Sequence, residues 1–275
     1  MGREPIVETR KEPKRLLNPA SGFLEGYTYT LNPYAGCTFA CSYCYVRQMP
    51  VALFRGMPWG GWVEVKTGAG ALLRRELKRA KAKGPVTIFC SSSTDPYQPA
   101  EAKEGVMRAL LEAMMDEPPD FLLLQTRSPL VTRDIDLLRQ LGERVRVSVT
   151  VETDLEPVRR AFTPYAPPIQ GRLAALRRLA EAGVPTQAAV APVLPSSPAF
   201  AERLAAVVPR VVVDDYFMGD GSGGRRTAKS GVAAIYASLG CEAWYRPDAY
   251  VGVLEAMREA FPPGQVKVSR DGFLP

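Results

Sequence analysis

Three cysteines, Cys37, Cys41 and Cys44, lie within eight residues of the chain, in the segment NPYAGCTFACSYCY. Their Cys-x3-Cys-x2-Cys spacing brings three soft thiolates close enough to bind three irons of one [4Fe–4S] cubane. The fourth iron would then lack a protein ligand and would stay open to a small molecule. The spacing therefore predicts an iron–sulfur cluster on these three cysteines.

Two other interpretations of the cysteines are a zinc site and buried structural thiols. Structural zinc normally takes four ligands. The chain has no histidine, and its other two cysteines, Cys90 and Cys241, are distant in sequence, although either could in principle supply a fourth ligand. The lack of histidine also excludes a Ser-His-Asp triad and a Cys-His catalytic pair.

The segments that must position the cysteines alternate between predicted strands and predicted helices. The main strands are predicted at 27–32, 86–91, 121–126, 145–151, 186–193 and 211–216, with a short one at 62–66. The helices are predicted at 69–81, 101–115, 134–141, 170–182, 199–208 and 248–261. Several strands are continuous apolar runs, as in a sheet that is covered on both faces. We therefore predict an α/β fold whose repeated βα units build a parallel sheet, either open or curled into a barrel.

The chain divides into three parts by pattern. Residues 1–26 carry scattered prolines and are predicted to form an irregular N-terminal arm. Residues 27–218 hold the alternating strands and helices and are predicted to form the core. Residues 219–275 are predicted to form a C-terminal extension, with a glycine-rich basic loop at 219–231 and one final helix.

Composition restricts the class of protein further. The 275 residues are 46% hydrophobic and 23% charged, as in a globular protein with a substantial core. No apolar run is long enough to span a bilayer, and the first residues lack the apolar core of a signal peptide, so we expect a cytoplasmic protein without a membrane partner. The formal charge of +6 fits an acidic partner such as nucleic acid, but an unspecific basic surface fits equally.

The cysteine segment, an aromatic residue within it and the following βα repeats resemble the radical S-adenosylmethionine (SAM) superfamily. Further segments, SSSTDPYQPAE, LLLQTRSPLVTRDIDLL, VRVSVTVET and APPIQGRLAALRRLAEAGVPTQAAVAPVLP, resemble its spore photoproduct lyase-like branch, which includes DNA repair enzymes. Together with the cysteine segment, LNPYAGCTFACSYCY, they run from Leu31 to Pro195. The resemblance implies a partial (β/α)6 TIM-like barrel with its chemistry at the C-terminal ends of the strands.

The resemblance also implies the reaction. In that family SAM binds the open iron, and one electron from the reduced cluster splits its sulfonium to release a 5′-deoxyadenosyl radical that abstracts hydrogen from a substrate. The electron would come from a one-electron reductant such as flavodoxin or ferredoxin. The substrate is left open, nucleic acid included. A DNA photoproduct lyase and a non-enzymatic cysteine-metal binding module are the alternatives.

Several residues acquire expected roles toward SAM through this resemblance. Tyr43, between two cluster ligands, is expected against the adenine, although an ordinary packed tyrosine would look the same. Thr94 and Asp95 are expected at the amino group, where a helix cap is the other interpretation. Arg127, at the end of a strand, is expected to bind the carboxylate in a place where family members commonly have lysine. Ser148 is expected at the ribose hydroxyls.

Four more residues complete the predicted site. Ala189 and Ala191, on the fifth main strand, are expected to leave room for the adenine. Cys90 and Tyr45 are candidates for hydrogen transfer. In the lyase a cysteine in the loop after the second strand donates hydrogen, and here serines occupy that loop, so Cys90 would have to point into the site from the strand. A buried Cys90 and a Tyr45 that merely packs beside the cluster are the alternatives.

Overall fold

The computed structural model describes residues 5–219 and 221–275, and within them the chain forms eleven strands. In chain order they are β1 (Val7–Lys11), β2 (Asn18–Pro19), β3 (Tyr29–Leu31), β4 (Tyr34–Ala35), β5 (Trp62–Lys66), β6 (Thr87–Cys90), β7 (Phe121–Thr126), β8 (Val145–Thr150), β9 (Thr186–Val190), β10 (Val211–Val213) and β11 (Val266–Val268).

The α-helices of the described residues are mostly short. They are α1 (Pro50–Leu53), α2 (Ala69–Lys81), α3 (Glu101–Glu104), α4 (Val106–Asp116), α5 (Ile135–Leu141), α6 (Glu156–Phe162), α7 (Ile169–Glu181), α8 (Phe200–Ala205), α9 (Tyr216–Gly219), α10 (Arg225–Ala228), α11 (Val232–Ser238), α12 (Tyr250–Ala260) and α13 (Arg270–Phe273). A 3₁₀ helix, Tyr45–Gln48, follows the last cysteine of the motif. No helix of the described residues is long and apolar enough to cross a membrane.

The main sheet has eight strands in the order β11-β10-β9-β8-β7-β6-β3-β2. Every neighbouring pair is parallel except β2 and β3. The sheet is not closed, so the architecture is the predicted partial barrel. A second sheet of three strands, in the order β1-β5-β4, lies beside the start of the main one.

The two faces of the main sheet carry different side chains because direction alternates along a strand. The outward face packs Ile88, Leu122, Val147 and many other aliphatic side chains against the helices. Helix α2 shows why these helices form there, since it turns Leu73 and Leu77 inward and its basic side chains outward. The concave face holds a smaller cluster at its base, made by the buried side chains Tyr27, Phe89, Leu123, Ala189, Val212 and Phe273.

Two predictions about the ends of the chain were wrong in detail. The arm 1–26 is not irregular throughout, because β1 pairs in parallel with β5 and because Leu16 and Leu17 are buried in the core. The glycine-rich segment 219–231 is not only a loop, since α10 forms within it. Strand β11, which the pattern does not predict, extends the main sheet beyond β10. The final helix is confirmed as α12.

Candidate functional site

One cavity of about 210 Å³ opens at the C-terminal ends of the parallel strands, where the active sites of barrel enzymes lie. Its lining includes all three cysteines of the motif, Cys37, Cys41 and Cys44, none of which forms a disulfide. The loop after β6, the loop after β7 and the segment after β10 supply the other walls. The topology therefore brings the cysteine motif and the predicted SAM-binding loops to one place.

Local backbone geometry holds the cysteine loop in shape. Gly36 precedes the first cysteine with a φ of +79°, and an added Cβ would lie 2.6 Å from Trp62, so this position requires glycine. Ala40, just before Cys41, also has a positive φ, of 52°. The Arg47 side chain fixes this turn by donating to the carbonyl of Ala40 at 2.7 Å and that of Cys41 at 3.0 Å.

The three cysteine thiols line one cavity, and thiolates are the ligands that iron–sulfur clusters take. Among the described residues, no group of three or more His, Cys, Asp or Glu side chains is arranged to hold a metal ion. Burial raises the pKa of Cys44 to about 11 and raises the pKa values of Cys37 and Cys41 as well. Iron would offset this cost, since it binds the thiolate form.

Arg127 provides the positive charge beside the cysteines. It follows β7 directly and lines the cavity. Its Nη1 lies 3.0 Å from Cys41 Sγ, 2.8 Å from the Tyr43 hydroxyl and 2.7 Å from Glu152 Oε1. The guanidinium thus lies at the cavity beside Cys41, and its contact with the carboxylate of SAM stays a prediction.

A buried carboxylate that the sequence analysis did not single out lies behind Arg127. Glu152 is 1% exposed, and its Oε1 accepts hydrogen bonds from Arg127 and from the Tyr43 hydroxyl. Its Oε2 accepts from Arg172 Nη1 at 2.6 Å, and Arg172 is fully buried. Burial alone would raise the pKa of Glu152, but the two arginines and the tyrosine hydroxyl lower it to about 2. Glu152 is therefore a buried anion between one fully buried cation, Arg172, and one partly exposed cation, Arg127.

Asp95 organises the wall after β6. Its carboxylate is buried and accepts from Thr126 Oγ1 at 2.7 Å, from the Tyr97 amide at 2.9 Å and from the Arg127 amide at 2.9 Å. Thr94 donates its hydroxyl to the Gly36 carbonyl at 2.5 Å. Both residues line the cavity. Thr94 ties the loop after β6 to the cysteine loop, and Asp95 ties it to the end of β7. Their contact with the amino group of SAM stays a prediction.

Ser148 and Ala189 are on the predicted face but one layer below the cavity. Ser148 is fully buried and accepts from Gln187 Nε2 at 3.2 Å, while Ala189 belongs to the apolar cluster at the base of the sheet. Thr150 and Ala191, each two residues further along its strand direction, line the cavity instead. Two residues along a strand advance the chain by about 7 Å on the same face, which accounts for the difference.

Cys90 points away from the cavity. Phe89 packs in the cluster on the concave face, and alternation along β6 turns Cys90 outward, where its Sγ lies 3.9 Å from Met107 Sδ. Its side chain is fully buried among the residues that pack against the helices. The expectation that Cys90 reaches into the site was therefore wrong, and the alternative of a small buried side chain matches its position.

Tyr45 does line the cavity, immediately after the last cysteine. Its hydroxyl donates to the carbonyl of Ser92 at 2.5 Å, which ties the cysteine loop to the loop after β6. This contact gives Tyr45 a structural role, and its part in hydrogen transfer stays a prediction.

A pair of acidic residues after β10 forms another part of the lining, called the acidic wall below. Asp214 and Asp215 follow β10, and both line the cavity although they are 6% and 3% exposed. Asp214 accepts from the Asp215 amide at 2.9 Å, and Asp215 accepts from the Phe217 amide at 3.3 Å. Burial raises the pKa of Asp214 to about 6 and that of Asp215 to about 7. Among the described residues, neither carboxylate has a salt-bridge partner.

The C-terminal extension closes one side of the cysteine loop. Tyr236 and Val232 of α11 are buried in a cluster with Phe39, Phe162 and the cysteines. The hydroxyls of Tyr216 and Tyr236 form a hydrogen bond in this cluster. The part of the chain outside the resemblance therefore contributes directly to the surroundings of the site.

The sequence contains a signal for some of the residues that were missed. Glu152 follows the run Val145–Val151, and Asp214 follows Val211–Val213, so each is the first charged side chain after a buried strand. In a parallel sheet that position lies at the edge where sites form. No local pattern distinguishes Arg172 from the other arginines of α7, because its burial depends on an ion pair with Glu152, which is distant in sequence.

Known relatives match the chain in part. It is 32% identical over 182 residues to the protein named "Uncharacterized protein MJ0683" of Methanocaldococcus jannaschii, a match that covers 66% of each chain. It is 35% identical over 173 residues to the protein named "Uncharacterized protein Rv2578c" of Mycobacterium tuberculosis, covering 62% of this chain and 50% of that one. The chain thus spans between one half and two thirds of the lengths of these relatives.

Solved structures of spore photoproduct lyase share the fold. The structure of that lyase complexed with dinucleoside spore photoproduct has a TM-score of 0.65 and 15% identity. A variant of the lyase with bound AdoMet and the same photoproduct has a TM-score of 0.69 and 16% identity. Each match covers 95% of this chain and 81% of the lyase.

A family-level match covers the cysteine motif and the strands β6 to β9. Residues 31–197, more than half of the chain, match the family described as "Radical SAM superfamily". The matched region holds the three cysteines, Arg127 and Glu152, which the structure brings together at the strand ends. The chain belongs to the radical SAM superfamily of enzymes.

Proposed function

We propose that this enzyme binds a [4Fe–4S] cluster through Cys37, Cys41 and Cys44 and cleaves SAM reductively for hydrogen abstraction from a substrate. The observation that supports this most directly is that the three thiols and the Arg127 guanidinium line one cavity at the strand ends. When bound, the cluster and SAM would supply the electron and the 5′-deoxyadenosyl radical. The protein supplies the binding groups and the shape of the cavity.

The residues around the cavity have separate tasks in this proposal. Arg127 keeps one arm on Cys41 and Glu152 and offers the rest of its guanidinium to the carboxylate of SAM. Thr150 and Ala191, which line the cavity where Ser148 and Ala189 do not, are the candidates for the ribose and adenine contacts. Tyr43 remains the candidate against the adenine, and it lines the same cavity.

The test is to purify and reconstitute the protein without oxygen, measure iron and sulfide per chain, and add SAM with dithionite as the electron donor. We expect four irons per chain and formation of 5′-deoxyadenosine, detected by mass spectrometry. Cys41→Ala should lose both. Cys90→Ala is the matched control, because Cys90 faces the helices, and it should keep both. A wild-type protein that binds the cluster but never cleaves SAM would contradict the proposal.

Repair of a nucleic-acid photoproduct is the second candidate, and one surface feature favours it. Beside the Tyr45–Gln48 turn at the cavity, Leu53 and Phe54 are 57% and 84% exposed. The basic helix α10 packs against the same turn. Exposed apolar side chains next to basic ones can wedge between bases and bind phosphates.

This second candidate is tested by giving the SAM-cleaving enzyme the dinucleoside spore photoproduct and following its conversion by mass spectrometry. Conversion to the repaired dinucleotide would support a photoproduct lyase, while SAM cleavage without conversion would leave another substrate. Flavodoxin or ferredoxin as the physiological reductant is a further proposal, which replacement of dithionite by each protein would test.

A cysteine-metal binding module without catalysis is the remaining alternative. It predicts a colourless protein with zinc and no sulfide after anaerobic purification. Metal analysis and an absorption spectrum of the same preparation therefore separate it from both enzymatic candidates.

A further inference from the structure

Arg127 contacts a cluster ligand directly as well as facing the cavity. Its Nη1 lies 3.0 Å from Cys41 Sγ, within hydrogen-bond distance for sulfur. Cys41 is 6% exposed, so this contact is shielded from water. A charged donor acts strongly on a sulfur atom in such surroundings, because the effective dielectric constant is low.

Glu152 determines where this guanidinium arm lies. The same Nη1 atom that reaches Cys41 lies 2.7 Å from Glu152 Oε1. The carboxylate itself cannot move freely, because Arg172 binds its other oxygen at 2.6 Å and is held in turn by the carbonyls of Thr150 and Pro167. These five contacts form one connected path from the carbonyls of Thr150 and Pro167 to Cys41.

A donor on a ligating sulfur has a defined effect on an iron–sulfur cluster. Reduction adds negative charge, and a hydrogen bond from a cation stabilises that charge on the sulfur. The cluster potential becomes less negative as a result. Partners behind the first ligands commonly tune metal sites in this way.

We propose that Glu152 is a positioning residue that, through Arg127, sets the reduction potential of the cluster on Cys41. The proposal rests on the proposed function, because it needs the cluster to be present. It separates two tasks of Arg127. Its Nη1 group sets the reduction potential of the cluster before SAM binds. Its other N–H donors are left for the carboxylate of SAM.

The test is the midpoint potential of the reconstituted cluster, followed by electron paramagnetic resonance without SAM. Arg127→Gln should shift the potential to a more negative value, because the donor is lost. Glu152→Asp keeps the charge but shortens the side chain, so Arg127 loses its hold at Cys41 and the potential should also become more negative. Arg74→Gln, on the exposed side of α2, is the matched control and should leave the potential unchanged.

The double variant Arg127→Gln with Glu152→Asp decides whether Glu152 acts through Arg127. If it does, the double variant has the potential of Arg127→Gln alone. Two shifts that simply add, or a Glu152→Asp potential equal to that of the wild type, would overturn the proposal. A general loosening of the fold would instead show in the circular dichroism and the iron content, which are measured on every variant.

Further variants keep the test decisive if Glu152→Asp fails to take up a cluster. Arg127→Lys keeps the charge with a single donor group, so its potential should lie between those of the wild type and Arg127→Gln. Identical potentials for all three proteins would overturn the role of Arg127 at Cys41. Failure of the wild type to bind any cluster would contradict the proposed function rather than this inference.

Discussion

Buried carboxylates near the cavity have two different surroundings. One group lies on the cysteine wall, formed by the cysteine loop with Arg127 and the residues behind it, and the other is the acidic wall. On the cysteine wall, Glu152 lies between Arg127 and Arg172, and its pKa is lowered to about 2. On the acidic wall, Asp214 and Asp215 are buried with backbone donors, a side-chain hydrogen bond from Ser269 to Asp214 and no salt bridge among the described residues. Burial raises their pKa values to about 6 and about 7.

The buried carboxylate of the cysteine wall is compensated by neighbouring cations, whereas the two buried carboxylates of the acidic wall have no cation beside them among the described residues. The charges on the cysteine wall compensate one another and hold their positions before any ligand arrives, which is what a site for a charged cofactor requires. The acidic wall carries a cost in free energy that a ligand with N–H or O–H donors would reduce. Variants on each wall should therefore change stability with different size and different dependence on pH.

The largest change in stability is expected on the cysteine wall from Arg172→Leu. Removal of this fully buried cation leaves the buried carboxylate of Glu152 with one ion-pair partner, Arg127, where it had two. Loss of one partner of a buried ion pair costs about 3–5 kcal/mol in the free energy of unfolding. Urea unfolding of the variant and the wild type measures this loss in the free energy of unfolding. Arg178→Leu, on the exposed side of the same helix, is the control and should stay within about 0.5 kcal/mol of the wild type. Equal losses for both variants would contradict the assignment.

On the acidic wall, Asp215→Asn should change how stability depends on pH. Because the pKa of Asp215 is raised to about 7, the folded chain binds this proton more tightly than the unfolded chain. The contribution of Asp215 to stability is therefore present at low pH and is lost as pH rises from about 4 to 7. Each pKa unit corresponds to about 1.4 kcal/mol.

The gain in stability of Asp215→Asn over the wild type should thus be larger at pH 8 than at pH 5, as measured by urea unfolding at both values. Glu152 has the opposite dependence, since its lowered pKa stabilises the fold above pH 4.5 and this contribution is lost as pH falls toward 2. Asp248→Asn, at an exposed position, serves as the control. A gain in stability for Asp215→Asn that is the same at both pH values would contradict the raised pKa of Asp215.

The smallest effect is expected from Tyr45→Phe on the cysteine wall. The variant loses one neutral hydrogen bond, from the Tyr45 hydroxyl to the Ser92 carbonyl, and keeps the ring. Such a bond is worth about 0.5–1.5 kcal/mol. Thermal unfolding should show this loss. A loss as large as that of Arg172→Leu would mean that the wall depends on the loop connection as much as on its charges.

Most of the sheet could be predicted from the sequence, because buried strands and their turns have a strong local signal. The strands at 86–91, 121–126 and 145–151 are found within one residue at either end. The strands β1 and β11 were missed because neither is a buried apolar run and each pairs with a neighbour distant in sequence, β5 and β10 respectively. Pairing between distant segments leaves little pattern in the strand itself.

The predicted site shows the same limit at the level of single side chains. Alternation along a strand predicts which face of the sheet Ser148 and Ala189 occupy. It does not predict which residue along each strand lies level with the cavity. That level depends on the register between neighbouring strands, which places Thr150 and Ala191 at the cavity. For Cys90 the face itself had to be read from its neighbour Phe89, which fills the base of the sheet.

The sequence by itself determined the chemistry available to this protein. Three closely spaced thiolates and a strand-end arginine are local features, because ligand type and spacing are written along the chain. Only the tertiary structure decided that Arg127 contacts Cys41, that Glu152 and Arg172 hold it there, and that Asp214 and Asp215 line the same cavity. These contacts join segments that are distant in sequence, and their energies arise from burial, which no local pattern specifies.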